Sequence, residues 1–302
     1  MFLYDNYEQF RAVEVKTFRK DYGTFLTAFK FWKENLFERV MRLFVWKNTE
    51  NIPPKEIEIR LILQGHCAFA MYGNDETPVE LTAFFGNFFG VGKYFDEKPY
   101  YTLRCPVWSG TGTIGVDTAV IDNNALRNPV LPLIDRYAYL LAHAETSIAA
   151  SLINSRDAGG VPVAANEIQK QSIESYYQKL YNGESGIVRD PAAVGVQYAG
   201  ADKHTQEKVL DLMETRQKLL KSFYSDIGVR ASFEKRSNAV VEEVEADTSM
   251  LLLNISDMID SRKRGAESVN SLFGTNFEVE LAKEIQYAES EVDNESTDSR
   301  YL

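Results

Sequence analysis

The charges between residues 230 and 247 are the residues whose types and spacing most directly suggest chemistry. Three cations come first and four carboxylates follow: Arg230, Lys235 and Arg236, then Glu242, Glu243, Glu245 and Asp247. Mobile Lys and Arg side chains bind phosphates weakly and without sequence specificity. In a ring of identical subunits these cations would form a belt of positive charge. The segment is therefore a candidate loop for weak phosphate binding, and the simpler interpretation is a solvated surface loop.

A glycine-rich segment at residues 110–115 has the spacing of a dinucleotide-binding motif, Gly-Thr-Gly-Thr-Ile-Gly. Such a site needs a helix that opens at the last glycine, because the helix N-terminus holds the pyrophosphate. Residues 116–121 are instead rich in β-forming residues. A hairpin or loop is expected here rather than a nucleotide site.

A second glycine-rich segment, from Gly86 to Gly92 and Lys93, resembles a Walker A loop. Five residues separate the two glycines instead of the four that the motif requires. Tyr94 also stands where a Ser or Thr should bind Mg²⁺. We do not expect this chain to hydrolyse ATP.

The histidines and cysteines show no spacing typical of a metal or catalytic site. His66, His143 and His204 lie far apart in the sequence, and we interpret each as a surface or core residue. Cys67 and Cys105 form no CxxC motif. A disulfide between them stays open, but two buried free thiols in a reducing compartment are the preferred interpretation. No cofactor, metal or enzymatic activity is expected.

The composition bounds the class of protein. The chain has 302 residues, 44% of them hydrophobic, and a formal net charge of −11. A negative chain is not expected to grip nucleic acid over its whole surface, since that affinity comes from Lys and Arg. Weak contact with DNA that slides past remains compatible with this charge. No apolar run is long enough to span a membrane, and the N-terminus does not resemble a secretory signal.

Apolar periodicity and turn residues divide the chain into helical and β-rich parts. Helices are expected where apolar residues recur at steps of three and four, and short strands where aromatic and β-branched runs alternate with turn residues. The expected helices cover residues 8–46, 55–64, 130–155, 166–181, 204–227 and 248–271. The expected strands are Cys67–Tyr72, Val79–Phe85, Tyr100–Val107, Thr118–Ile121, 194–198 and Phe277–Leu281. The polar end of the chain, residues 282–302, is expected to be disordered.

Two amphipathic helices, 130–155 and 204–227, bracket a polar insert that lacks a core of its own. Neither helix can bury its apolar stripe alone. Small residues such as Ala138 and Ala142 permit close approach of neighbouring helices to the first one. Such helices must pack against something, and further copies of the same chain would serve. This pattern indicates a structural part rather than an enzyme.

Four stretches of sequence occur in a specific order over about residues 40–281. The first is Leu43-Phe-x-Trp46-x-Asn48 with Glu58-x-x-Leu61-x-x-x-Gly65-x-x-x-Phe69, and the second is Ala119-Val-Ile-Asp-Asn123-Asn124-Ala with Pro129 and Leu141-Ala-x-x-Glu145-x-Ser147-Ile148. The third is Ser172-Ile-x-x-x-Tyr177-x-x-x-Tyr181-Asn-Gly183. The fourth comprises Ile227-Gly228-Val, Glu234-Lys235-Arg236, Glu242-Glu243-Val244, Arg262, Ala266, Asn270 and Leu272-Phe273-Gly274-x-Asn276. In this order they resemble the upper collar, or head–tail connector (portal), proteins of small short-tailed phages of the Bacillus-phage type.

The resemblance implies a mainly helical α+β subunit that assembles as a ring. Long stem helices would carry a small α/β clip insert and a β-containing wing. The implied segments are an N-terminal helical and β-rich wing (1–129), a stem helix (130–155), the clip (156–203), a second stem helix (204–228), the channel loop (229–247), a wing helix and strand (248–281) and an acidic disordered tail (282–302).

The resemblance also implies roles for particular residues. The DNA-channel residues would be Arg230, Lys235 and Arg236 on the channel loop and, more weakly, Lys203, Lys208 and Arg216 on the stem. The residues that dock a packaging motor would be Tyr177, Tyr181, Asn182 and Gly183 in the clip. A dodecamer at one capsid vertex would pass double-stranded DNA during packaging and ejection.

The implied partners are a separate packaging ATPase, the major capsid protein, lower collar or tail proteins and further copies of this chain. Assembly would take place in the host cytoplasm, and the final location would be the virion. Members of the family can carry a basic N-terminal arm that meets a packaging RNA, whereas residues 1–20 here mix both signs of charge. The alternatives are another ring-forming tail or adaptor protein without motor docking, and a helical enzyme with an unrecognised site.

Overall fold

The computed structural model describes residues 25–74, 77–94, 97–106, 108–154, 161–181, 197–199, 206–229 and 241–282. These residues form six helices and ten strands, and the chain is a mainly helical α+β protein as expected. None of the helices in these ranges combines the length and the apolar character needed to cross a bilayer.

The elements follow one another in a helical start, a β-rich middle and a helical remainder. The helices are α1 (Phe25–Met41), α2 (Pro54–Gln64), α3 (Leu131–Asn154), α4 (Glu167–Tyr181), α5 (Gln206–Ile227) and α6 (Val241–Phe273). The strands are β1 (Phe44–Lys47), β2 (His66–Asn74), β3 (Thr77–Phe84), β4 (Phe88–Phe89), β5 (Tyr100–Cys105), β6 (Trp108–Thr113), β7 (Thr118–Asp122), β8 (Val161–Val163), β9 (Gln197–Ala199) and β10 (Glu278–Leu281).

The chain divides into two compact units. The first unit contains the described residues of Lys33–Ala138 and of Lys221–Leu302. The second unit contains the described residues of Arg19–Trp32 and of Tyr139–Leu220. Helices α1, α3 and α5 therefore each contribute residues to both units.

Two three-stranded antiparallel sheets form the β part of the first unit. Their strand orders are β3-β2-β7 and β4-β5-β6, and single bridges from Phe85 to Arg104 and from Ile114 to Thr118 link them. Alternate side chains of each strand point to one face, and those facing inward form a common core. That core comprises Ala68, Ala70, Phe84, Tyr101 and Leu103. The expected short strands in this part of the chain are confirmed, and residues 110–112 lie in β6 rather than before a helix.

Helix α2 turns directly into strand β2 at Gly65. The glycine has a left-handed φ of 86°, and its N–H donates to the carbonyl oxygen of Leu61. A Cβ at this position would lie only 2.0 Å from the carbonyl oxygen of Arg127. Glycine is therefore required both for the turn and for the close approach of the chain, and the predicted end of the helix is confirmed.

Helix α6 packs closely against strand β7 at Gly265, a glycine of the helix. A Cβ on Gly265 would come within 2.7 Å of the Cα of Ile121. Ala266 and Val269 on the same helix are buried. This close approach covers the face of the β3-β2-β7 sheet opposite the shared core, where Phe69 and Ile121 are fully buried.

Strands β1 and β10 pair in antiparallel register from Phe44–Leu281 to Lys47–Glu278. The predicted strand near the C-terminus is thereby confirmed, but the predicted continuation of the first helix to residue 46 is wrong, since α1 ends at Met41. Phe44 and Trp46 are buried while the residues between and after them are exposed, which is the alternation of a strand.

Helix α6 begins at Val241, so the acidic half of the predicted channel loop is helical. This corrects the predicted loop boundary at residue 247. Glutamate is a good helix former, and carboxylates in a first turn are favoured by the partial positive charge of the helix N-terminus. Residues 230–240, and the predicted disordered tail from residue 283, lie outside the described residues.

The second unit contains α4 and the short β8–β9 pair. Asn166 caps α4, because its Oδ1 accepts the N–H of Gln169 at 2.8 Å while the Oε1 of Gln169 accepts the N–H of Ala165 at 2.9 Å. The strand expected at residues 194–198 is present as Gln197–Ala199 and pairs with Val161–Val163. The helices expected at 130–155, 166–181 and 204–227 are confirmed within two residues at each end.

Candidate functional site

Most of the sequence-predicted site residues are positioned only by their backbone or lie outside the described ranges. Arg230, Lys235, Arg236, Lys203, Asn182 and Gly183 are outside them. Lys208 lies in the first turn of α5, and Tyr177 and Tyr181 lie in the last two turns of α4, one helical turn apart. Arg216 is the one predicted site residue whose side chain is described.

Arg216 lies on the second-unit part of α5 and is half-buried. Its Nε is buried and has no hydrogen-bond partner in the part of the chain that the structure describes. Two residues to either side of it on the same helix, the Nζ of Lys218 lies 3.3 Å from Glu214 Oε1. The role of Arg216 as a stem cation stays a prediction.

The C-terminal end of α5, directly before Arg230, is held by backbone hydrogen bonds. Gly228 has a φ of 94° and its N–H donates to the carbonyl oxygens of Tyr224 and Ser225, while the N–H of Val229 also donates to Tyr224. These bonds form the usual left-handed termination of a helix. The predicted end of the helix at Gly228 is confirmed, and the chain enters residues 230–240 from a fixed point.

Three further contacts hold this helix end within the first unit. The hydroxyl of Tyr137 on α3 donates to Asp226 Oδ2 at 2.7 Å, and the Nδ2 of Asn254 on α6 donates to the carbonyl oxygen of Asp226 at 3.1 Å. Burial and the bond to the Asp226 carboxylate raise the pKa of Tyr137 to about 12. Arg39 on α1 donates to the hydroxyl of Tyr224. The positions that flank residues 230–240 are thus tied to three helices.

A buried ion pair joins the elements of the first unit. The guanidinium of Arg262, which is fully buried, donates from Nε to Glu58 Oε1 and from Nη2 to Glu58 Oε2, both at 3.0 Å. Its remaining N–H groups bond the carbonyl oxygen and Oδ1 of Asn123, each at 2.9 Å, and the carbonyl oxygen of Met258 at 3.2 Å. The Nε1 of Trp46 donates to the same carboxylate at 2.7 Å. Every donor of the guanidinium is therefore satisfied.

A second group of polar contacts fixes the turn between α6 and β10. The side chain of Asn270 accepts the N–H of Phe277 at 2.6 Å and donates to its carbonyl oxygen at 3.0 Å. Thr275 also donates to Asn270 at 2.9 Å, and Gly274 adopts a left-handed φ of 69°. The ring of Phe277 packs edge-on against Phe69, with 5.7 Å between the centroids.

Both groups of contacts are built around residues that carry the sequence resemblance, and the sequence interpretation missed what these residues do. It quoted Trp46, Glu58, Asn123, Arg262 and Asn270 only as parts of an ordered pattern. The available signal was the presence of Glu58 and Arg262 among buried apolar positions of their helices, since a charge in such a place is normally paired. The structure shows that they hold the first unit together.

The histidines and cysteines that are described have structural surroundings. Cys67 and Cys105 are both free thiols, as the preferred interpretation expected. The expected burial is confirmed for Cys67 and is wrong for Cys105, which is half-buried. Burial raises the pKa of Cys67 to about 12. His66 is a core residue, and His143 is exposed on α3. No group of three potential metal-ligating side chains occurs among the residues that the structure describes.

Comparison with known proteins identifies the class. Residues 9–286 match the family model Phage Connector (GP10). The chain therefore belongs to the phage connector family. Its role is that of a connector, or portal, protein, a structural component of the phage particle. A comparison with curated proteins found no match.

Three solved structures are similar to this chain. The portal and tail of native bacteriophage P68 shares 16% identity, covers 91% of this chain and 94% of its own, and has a TM-score of 0.45. The neck of an empty gene transfer agent particle shares 11% identity over 84% of this chain and 80% of its own, with a TM-score of 0.39. The virion of a native gene transfer agent shares 11% identity, and the match covers 92% of this chain and 86% of its own, with a TM-score of 0.39.

Proposed function

We propose that this connector protein assembles as a ring, a dodecamer, at one capsid vertex and that double-stranded DNA passes through the ring during packaging and ejection. The observation that carries the ring is the exposure of large apolar side chains on both stem helices. Tyr139 and Leu152 on α3 are 51% and 43% exposed, and Leu210 and Met213 on α5 are 65% and 36% exposed. Further copies of the chain would cover them, as closed rotational symmetry requires of a repeated interface.

The cations of the channel loop would contact the DNA in this ring. Gly228 and the bonds around Asp226 fix the chain just before Arg230, and α6 takes it up again at Val241. Lys235 and Arg236 lie within the segment between these two points. Three cations per subunit would offer brief contacts to phosphates, while the negative net charge of −11 disfavours tight binding. Such a surface lets DNA slide and resists its return.

The clip would dock a separate packaging ATPase. Its helix α4 carries Tyr177 and Tyr181 in the last two turns. At the other end of the insert, Val163 and Ile168 are 50% and 69% exposed. Exposed apolar residues on a small polar insert favour a protein partner. The major capsid protein and the lower collar or tail proteins would contact other surfaces of the ring.

The first test is the mass of the native protein together with electron microscopy of the same sample. Rings of about a dozen subunits, with a central hole wide enough for a duplex, are expected from closed symmetry. Open filaments, or a monomer that stays monomeric when the capsid protein is present, would contradict the ring.

The second test addresses the DNA contact. Lys235→Ala combined with Arg236→Ala should leave ring assembly unchanged and reduce the amount of DNA retained in particles, because each ring loses a full belt of phosphate contacts. The matched control is Lys263→Ala with Arg264→Ala, which removes the same charges from an exposed face of α6. Equal DNA content in both variant particles would contradict the role of the channel loop.

A further inference from the structure

A buried hydrogen-bonded cluster joins the two three-stranded sheets of the first unit. The Nδ1 of His66, at the start of β2, lies 2.7 Å from the hydroxyl of Tyr101 on β5. The Nε2 of Gln64 donates to that hydroxyl at 3.0 Å and also to the carbonyl oxygen of Gly86. All three side chains are at least nine-tenths buried. The rings of Phe88 and Tyr101 pack edge-on against the imidazole, at 4.8 and 5.5 Å between centroids.

The contacts of Gln64 indicate where the protons lie. Its amide nitrogen donates to the Tyr101 hydroxyl and also lies 3.0 Å from the Nδ1 of His66, so we assign Nδ1 as the acceptor of the Tyr101 O–H and the imidazole as neutral. Burial raises the pKa of Tyr101 well above its ordinary value, so the hydroxyl keeps its proton throughout the physiological range. A second proton on the imidazole would remove the acceptor to which Tyr101 donates.

The charged groups around His66 offer no compensation for an added proton. Asp122 lies opposite His66 in the β2–β7 register, but its carboxylate is paired with Arg127 at 3.2 Å. The Arg127 guanidinium covers the ring of Phe88 at 4.1 Å. From α2, Arg60 is paired with Glu56. The remaining neighbours are the neutral thiol of Cys67 beside His66, the hydroxyl of Tyr101 on β5 and the uncharged Phe88 on β4.

We propose that Gln64, His66 and Tyr101 form an acid-sensitive latch between the β3-β2-β7 and β4-β5-β6 sheets, which opens when His66 takes up one proton. The closed latch excludes water and places the imidazole near a guanidinium, so it binds the proton poorly. The open latch exposes the ring to water, where it binds the proton normally. Acid therefore favours the open form. This device is separate from the proposed DNA channel.

The direction of the pH dependence follows from linkage. Burial, and then the charge of Arg127, lower the pKa of His66 from 6.5 to about 4. Above pH 6.5 both forms of the latch are neutral and the closed form has its full stability. As the pH falls from 6.5 through 4, the open form gains protons that the closed form does not, and the closed form loses stability. At about pH 5 the ratio of closed to open latch should be about 20-fold lower than at neutral pH.

Hydrogen exchange on the full-length protein tests this latch. Peptides from β2 and β5 should lose protection by about 20-fold between about pH 7 and about pH 5, after correction for intrinsic exchange rates. Peptides from the β1–β10 pair should keep their protection. Unchanged protection in β2 and β5, or an equal loss in β1 and β10, would overturn the proposal from the wild-type protein alone.

Two histidine variants identify the titrating group. His66→Gln retains a side chain that can accept the Tyr101 hydroxyl but cannot take up a proton, so protection of β2 and β5 should become independent of pH. His143→Gln changes an exposed histidine of the second unit and should behave like the wild type. A full acid-induced loss in His66→Gln would overturn the assignment to His66.

Discussion

Helix α5 shows how the two units of this chain differ. Near its C-terminus, in the first unit, Phe223 and Ile227 are 0% and 3% exposed. On the second-unit part of the same helix, Leu210 and Met213 are 65% and 36% exposed. On this helix the end that lies in the first unit is therefore part of a core. The part that lies in the second unit leaves apolar side chains exposed that further copies or partners could cover.

The motif residues divide in a similar way. In the first unit Glu58, Asn123 and Arg262 form a closed network in which each guanidinium donor has an acceptor. In the second unit the motif residue Ser172 is buried with a hydroxyl that has no hydrogen-bond partner in the described part of the chain. The same kind of sequence signal therefore marks a fully hydrogen-bonded network at Arg262 and a buried hydroxyl with unused bonding capacity at Ser172.

The largest effect on the stability of the subunit is expected from Arg262→Met. This change leaves the Glu58 carboxylate buried without its cation, which typically costs about 3–5 kcal/mol. The free energy of unfolding, measured by urea denaturation at a fixed protein concentration, should fall by that amount. Circular dichroism can follow the transition.

A neighbouring arginine provides the control for that prediction. Arg264→Met removes an exposed guanidinium from the same helix together with its 3.0 Å hydrogen bond to Ser261 Oγ, and should lower the free energy of unfolding by no more than about 1.5 kcal/mol. Adding Glu58→Leu to Arg262→Met should restore part of the loss, because an apolar pair no longer buries an uncompensated charge. Equal midpoints for the two single arginine variants would mean that the buried network does not hold the first unit.

An intermediate effect is expected from Gly265→Ala. The added methyl group would lie 2.7 Å from the Cα of Ile121, so α6 must move away from β7. Overpacking of this kind costs about 1–3 kcal/mol. Helix propensity alone predicts the opposite, a gain of about 1 kcal/mol for alanine over glycine.

The thermal midpoint decides between these two effects. Ser268→Ala, at an exposed position on the same helix, is the control in which only propensity acts. We expect the glycine variant to melt below the wild type and the serine variant to melt at or slightly above it. A more stable Gly265→Ala protein would show that the helix and the sheet are not in close contact.

The helices and most strands could be predicted from the sequence because their signals are local. Periodic apolar residues, Gly65 and Gly228 marked the elements and their ends correctly. Strand β1 could not be predicted, because its partner lies more than 200 residues away in the chain and the apolar residues before it continue a helical pattern. The acidic start of α6 was misjudged because charge was taken as a sign of a loop, although glutamate favours a helix N-terminus.

The candidate site was less predictable than the fold. A single sequence shows that Arg262 and Glu58 are charged, but only the folded chain brings them together across 204 residues. The same holds for His66 and Tyr101, which come from different sheets. The proposed channel cations Arg230, Lys235 and Arg236 rest on sequence and family alone, because their function depends on a ring that one chain does not contain.

The smallest effect on subunit stability, with the largest effect on assembly, is expected from Leu210→Glu. The side chain is 65% exposed in the isolated chain, so its free energy of unfolding should change by less than about 0.5 kcal/mol. In a ring, the new carboxylate would be buried against a neighbouring subunit without a partner, which is strongly unfavourable. Native mass should therefore report subunits instead of rings.

A leucine of the first unit separates this effect from a general response to surface charge. Leu126 is 79% exposed, and Leu126→Glu should leave both stability and ring mass unchanged. If Leu210→Glu still forms rings, the exposed face of α5 does not lie in the subunit interface. If Leu126→Glu alone prevents assembly, the contact between subunits lies in the first unit and not on the exposed face of α5.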